Sequence, residues 1–140
     1  MEYSIEINKI GPPETMDIIK SPIKSPNEGE VLVRHKAIGV NYIDIYYRNG
    51  VYPLSSLPSG IGHEASGYVE AVGDGVKNLK EGDRVAYVSA VPGSYSTTRC
   101  IPSEIVVKIP SQIDFETAAV MLLKGTTVHY LFKRTANIQN

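Results

Sequence analysis

Punctuation constrains the fold of this chain more than any other feature. Short runs of alternating apolar and polar residues are each closed by Gly, Pro or Asp, and 12 glycines and 9 prolines are spread over 140 residues. Alternation at period two sends every second side chain to the same side of a pleated strand. "SIEIN" (residues 4–8) alternates and meets the turn Gly11-Pro12-Pro13. "MDIIKSPI" predicts a short strand ending near Pro22. "EGEVLVRHKAIGVN" is the clearest strand, with Val31, Val33, His35 and Ala37 on one face and Leu32, Arg34, Lys36 and Ile38 on the other. "EASGYVEAVG" runs into the turn Gly73-Asp74-Gly75, and "EGDRVAYVSA" turns at Gly82-Asp83. "GSYSTTRCIP" and "EIVVKIP" complete the set. Strands of this length and spacing predict a small barrel-like domain.

Two stretches depart from the pattern. "YIDIYYRNG" places Ile43, Tyr46 and Tyr47 at helical spacing, with Gly50 as the stop. After Pro110, Asp114 is an N-cap for "FETAAVMLL", and Glu116 lies near the positive end of the helix dipole. Lys124-Gly125 is expected to interrupt this helix, with "TTVHYLFKR" resuming it. The expected fold class is mainly β with short helices (α+β).

Composition narrows the function classes. The chain is 42% hydrophobic and 21% charged with a net charge of −1, ordinary for a globular domain and no footprint for nucleic acid or anionic lipid. No apolar run is long enough to span a bilayer, and the first residues carry no secretory h-region. The single cysteine, Cys100, excludes an intrachain disulfide, so a reducing, cytoplasmic location is expected. Arg99 beside it could lower the thiol pKa, but no His–acid partner accompanies it, and Cys100 is not expected to be a reactive nucleophile. The G-x-G-x-x-G dinucleotide fingerprint is absent from these residues.

The blocks "AIGVNYIDIYYRNGVYP", "LPSGIGHEASGYVEAVGDGVK", "LKEGDRVAY", "GSYS" and "AAVMLLKGTTVHYL" occur in one order and spacing. In that order the chain resembles the zinc-independent NADPH:quinone oxidoreductases of the medium-chain dehydrogenase/reductase superfamily. The resemblance implies a GroES-like catalytic domain over residues 1–112. Residues 113–140 would begin the linker helices toward a Rossmann coenzyme domain, absent here, so that the chain is truncated relative to the family. It implies hydride or electron transfer from NADPH to a quinone without zinc. The 140 residues alone would be inactive, and a separately encoded coenzyme domain or self-association would be in play. Alternatives are an enone or enal double-bond reductase of the same superfamily, or a non-catalytic remnant serving as an interaction module.

The resemblance also assigns roles. Tyr46 and Tyr52 would line the cleft as the catalytic pair flanking a flat acceptor. Asn41, Ile43, Tyr46, Lys124, Thr127 and Tyr130 would bind the cofactor. No metal is expected. In zinc-dependent relatives a Gly-His-Glu motif supplies a ligand, and a catalytic zinc takes three protein ligands plus an open position. Here the first Cys of those relatives falls at Asn41, a poor ligand. His63 is therefore expected to be a packed or hydrogen-bonded residue at a strand entry. Glu64 is expected to bond backbone or a cation, and Asp44 to be an ordinary helix-start residue, with orientation of its loop as the weaker alternative.

Overall fold

The structure, a computed structural model, describes residues 1–136. The last four residues of the expected linker segment lie outside it. Eight strands and two α-helices follow one another: β1 (Glu2–Ile7), β2 (Met16–Ser21), β3 (Glu30–Gly39), α1 (Tyr42–Arg48), β4 (Ser59–Gly60), β5 (Glu64–Val72), β6 (Arg84–Val88), β7 (Thr98–Pro102), β8 (Val106–Lys108) and α2 (Phe115–Tyr130). The expected β-rich α+β class is what forms.

All named strand pairs are antiparallel. One sheet runs β7-β3-β5-β6-β8 and a smaller one runs β2-β1-β4. Val31, Val33, Ala65, Val69, Leu79, Val85, Tyr87, Ile101 and Val106 form the core. The strict alternation expected of β3 fails. Register shifts at Leu32/Val33 and His35/Ala37 re-aim its side chains, and Val31, Leu32 and Val33 are all buried. Irregularities of this kind bend a strand and raise its twist.

Both helices begin and end as local chemistry dictates. α1 stops at Asn49 and Gly50, whose φ of +82° suits glycine. Asp114 caps α2 by accepting from the Thr117 amide at 2.6 Å. The expected break at Lys124-Gly125 is absent, and α2 runs through it to Tyr130 before a π-helical turn over Leu131–Thr135. A glycine inside a helix costs only about 1 kcal/mol, less than the neighbouring turns contribute. The Thr126 and Thr127 hydroxyls donate to the carbonyls of Leu122 and Leu123 one turn back.

Only Ala118 and Ala119 of α2 are buried, while Val120, Met121, Val128, Tyr130 and Leu131 stay exposed. α2 packs on β3, β5 and β6. Its approach depends on Gly39 at the end of β3, where an added Cβ would stand 2.3 Å from the Ala119 carbonyl oxygen. That close seat brings α2 down beside the start of α1. Among the described residues no helix is long and apolar enough to cross a membrane.

Candidate active site

α1, the head of β5 and the middle of α2 meet around two buried carboxylates. Asp44 is 3% exposed and gathers donors from three parts of the chain. Its Oδ2 accepts from the Asn41 amide at 2.8 Å and from the Tyr95 hydroxyl at 2.9 Å; its Oδ1 accepts from His63 Nδ1 at 2.7 Å. The first of these bonds is the return arm of a capping box, which the spacing of Asn41 and Asp44 allows. A carboxylate only accepts, so the His63 proton that faces it sits on Nδ1, with Nε2 on the far side of the ring. Among the described residues that nitrogen is buried without a partner. The ring of Tyr47 lies over the imidazole with centroids 4.9 Å apart. Burial, then the bond to Asp44, pushes the Tyr95 phenol well above its ordinary pKa.

Glu64 is fully buried one residue beyond His63. Its Oε2 accepts from the Leu123 amide of α2 at 3.0 Å, and its Oε1 from Asn41 Nδ2 at 2.8 Å. Lys124 Nζ lies 3.5 Å from the same Oε1 and donates to Asn41 Oδ1 at 2.8 Å. Asn41 and Lys124, 83 residues apart in sequence, thus share one hydrogen bond.

The tyrosines form a partly open aromatic rim. Tyr46 and Tyr52 have centroids 5.6 Å apart in an edge-on arrangement, and both are exposed. Tyr42 flanks Tyr46 at 6.2 Å, and Tyr47 meets Tyr52 at 5.6 Å. Ile43 is half-buried on α1. Thr127 and Tyr130 lie further along α2, both exposed, and the Thr127 hydroxyl is spent on its own helix. Among the described residues no hydrogen bond joins either to α1. A cavity of about 700 Å³ lies mostly elsewhere, lined by Tyr3, Ile5, Ile18, His35, Ile38 and Tyr95 among others; of the residues of this site it touches only Tyr95.

The expectations for His63 and Glu64 hold. His63 is packed and hydrogen-bonded, and Glu64 bonds a backbone amide with a lysine at its edge. For Asp44 the weaker alternative is favoured over the helix-start reading, because its carboxylate ties α1 to His63 and to the segment bearing Tyr95. The Asn41–Asp44 spacing is a usable signal for part of this; nothing in the sequence marks Tyr95. At Cys100 the pull of Arg99 on the thiol is not seen. Arg99 turns away from it, donating to Ser94 and to the carbonyl of Val91. Burial and Glu30 instead push the Cys100 thiol up.

Comparison with known proteins fits this architecture. Residues 27–111 match the family model described as the alcohol dehydrogenase GroES-like domain. The chain belongs to that family. It is 45% identical over 139 residues to quinone oxidoreductase 1 of Escherichia coli strain K12, covering 99% of this chain and 42% of that protein. It is 36% identical over 144 residues to 2-haloacrylate reductase of a Burkholderia species, covering 99% of this chain and 43% of that protein. The crystal structure of Escherichia coli quinone oxidoreductase complexed with NADPH superposes with a TM-score of 0.91 at 46% identity, covering 96% of this chain and 41% of that one. The chain therefore spans less than half the length of these relatives, and the resemblance to quinone oxidoreductases is borne out over nearly all of its own.

Proposed function

We propose that this domain forms the substrate-side wall of an NADPH-dependent quinone reductase that works without zinc. The observation that carries the reading is the join between Asn41 and Lys124 at the start of α1, together with the exposed Tyr46–Tyr52 pair on and just beyond that helix. It sets amide and ammonium groups at the start of α1, the helix that carries Tyr46. Bound NADPH supplies a hydride, and the protein's part is to hold, orient and exclude water.

The residues fit that part. Asn41 keeps one amide hydrogen and one lone pair beyond its bonds to Glu64 and Lys124. Lys124 keeps an exposed head, and a Cβ at Gly125 would meet nothing within 4 Å, leaving room for a close approach. Asn41, Ile43, Tyr46, Lys124, Thr127 and Tyr130 hold the nicotinamide side. In this reading Tyr46 and Tyr52 flank the acceptor ring. Quinones accept hydride readily, so no Lewis acid is needed. Among the described residues no group of three or more His, Cys, Asp or Glu side chains converges as a metal would need.

Residues 1–112 act as the GroES-like unit and 113–140 as the lead toward the coenzyme domain. A Rossmann domain, in the same or a separate polypeptide, grips the phosphates at a helix N-terminus. The exposed apolar face of α2 supports docking of that domain, or self-association without it. A cytoplasmic location goes with this reading. A second reading, reduction of an activated carbon–carbon double bond, is favoured by the similarity to a 2-haloacrylate reductase.

NADPH oxidation with a panel of quinones and enones, by these 140 residues alone and mixed with a coenzyme-domain polypeptide, tests the proposal. The expected result is turnover with quinones in the mixture, lowered about tenfold by Asn41→Ala, as the loss of one charge-free hydrogen bond would give. No quinone turnover in any mixture, or turnover indifferent to Asn41→Ala and Tyr52→Ala, overturns it.

A further inference from the structure

Between the barrel and α2 lies a carboxylate that hydride transfer leaves without a task. Glu64 is fully buried, yet the residues it touches are the candidate cofactor contacts Asn41 and Lys124. Space for it is kept by Gly39, where a Cβ would stand 2.5 Å from Glu64 Cγ.

The chemistry of its two neighbours forces one arrangement. A carboxylate can only accept, and an ammonium can only donate. Asn41 lies between them, with Nδ2 toward Glu64 Oε1 at 2.8 Å and Oδ1 toward Lys124 Nζ at 2.8 Å. A side-chain amide has two orientations related by a flip, and the surrounding network decides between them. Flipped, Asn41 would set its NH₂ against the ammonium and its oxygen against the carboxylate. Glu64 cannot swing aside to accommodate this, because its other oxygen is held by the Leu123 amide at 3.0 Å.

We propose that Glu64 is a positioning residue: it fixes the orientation of the Asn41 carboxamide and the seat of the Lys124 ammonium, so that both meet a nicotinamide nucleotide in one preset donor–acceptor pattern. The proposal rests on the reading that Asn41 and Lys124 face that cofactor. Groups held in advance need no reorganisation when the ligand arrives, which is where such a supporting layer gains its effect.

A merely structural Glu64 would pin α2 to β5 and do nothing else. Glu64→Gln separates the two roles. The Leu123 amide takes the glutamine carbonyl oxygen, so the glutamine NH₂ faces Asn41 and Lys124, and neither orientation of Asn41 is then satisfied. Adding Asn41→Asp restores an acceptor for both the glutamine NH₂ and the lysine.

The experiment uses the ¹⁵N-labelled 140-residue chain. The Asn41 side-chain NH₂ signals, assigned by their loss in Asn41→Asp, are followed together with the acylation rate of Lys124 and thermal stability. In Glu64→Gln the NH₂ signals are expected to move or split, with Lys124 acylated several-fold faster. The double variant Glu64→Gln/Asn41→Asp is expected to regain most of the lost stability and the slow acylation. In the mixture with a coenzyme domain, its apparent KM for NADPH stays raised, because the carboxylate that replaces the Asn41 amide offers the cofactor no donor. Unchanged Asn41 signals and Lys124 reactivity in Glu64→Gln overturn the proposal. If they change as expected while Asn41→Ala leaves NADPH oxidation intact, the nicotinamide reading falls and the orienting of the amide stands.

Discussion

His35, half-buried, and His63, buried, are imidazoles with Nδ1 bonded to an oxygen, and they belong to networks of opposite kind. His35 Nδ1 pairs with the Ser96 carbonyl at 2.6 Å, and its Nε2 meets the Tyr87 hydroxyl at 2.9 Å. That hydroxyl reaches Ser94 at 3.2 Å, and Ser94 accepts from Arg99. Every group there has a neutral or cationic partner, and the network closes on itself. His63 pairs with a carboxylate instead, and its Nε2 has no partner among the described residues. Buried polar groups without partners are rare in folded proteins because each forfeits its hydration without return. The closed network stabilises the barrel. The open one, built on Asp44 and Glu64 and joined through Asn41, reaches an exposed end at Lys124.

The largest expected effect strikes the open network. Asp44→Ala removes the acceptor for Asn41 N, His63 Nδ1 and Tyr95 OH together. Each buried donor left unmet costs about 1–3 kcal/mol, and three that share one site do not add fully, so a loss of about 3–5 kcal/mol is expected. Chemical denaturation measures it. A loss below about 1 kcal/mol would mean that Asp44 is no hub and would erase the contrast between the two networks.

The next effect belongs to the closed network and depends on pH. Burial holds His35 from the ordinary 6.5 down to about 4, helped by the nearby Arg99 charge and opposed by the Ser96 carbonyl. The folded state therefore resists protonation that the unfolded chain accepts. The stabilisation is complete above about 6.5 and is lost as pH falls from there to about 4. This depression corresponds to at most about 3 kcal/mol across the window. Glu2, Asp83 and Asp114, whose carboxyls are held below their ordinary values, add their own losses at the acid end. A His35→Gln variant keeps those and loses only the histidine's part. Its stability should fall less steeply between pH 6.5 and 4 than that of the parent. Parallel curves would show that His35 stays protonatable in the fold and that its network is as open as that of His63.

The strands are legible in the sequence because alternation and glycine or proline turns act within a few residues of each other. Gly50 and Asp114 are legible for the same reason, since a cap is a local device. β3 is not fully legible, because register shifts override its alternation and its partner β5 settles them. The continuity of α2 is hidden because a single Gly125 reads as a break, whereas the helical turns on either side outweigh it. At the candidate site, Asn41 and Lys124 stand out through resemblance alone; their contact spans 83 residues and no local pattern encodes it. Tyr95 is invisible for the same reason, its bond to Asp44 crossing 51 residues.

The smallest expected effect sharpens the comparison most finely, because it separates stability from function at one residue. Gly125 is a helical glycine in α2, next to the lysine that ends the open network, and an added Cβ there would meet nothing within 4 Å. With space free and helical backbone already in place, Gly125→Ala should stabilise the chain by up to about 1 kcal/mol, partly by restricting the unfolded state. A residue kept at a cost in helix stability needs a reason outside the helix. In the proposed function that reason is the approach of a nicotinamide nucleotide to the backbone beside Lys124. The same variant, mixed with a coenzyme domain, should then show an apparent KM for NADPH raised several-fold while it melts higher. A higher melting temperature with an unchanged KM would leave the surface around Gly125 outside the site and confine that site to Asn41, Lys124 and the tyrosine rim.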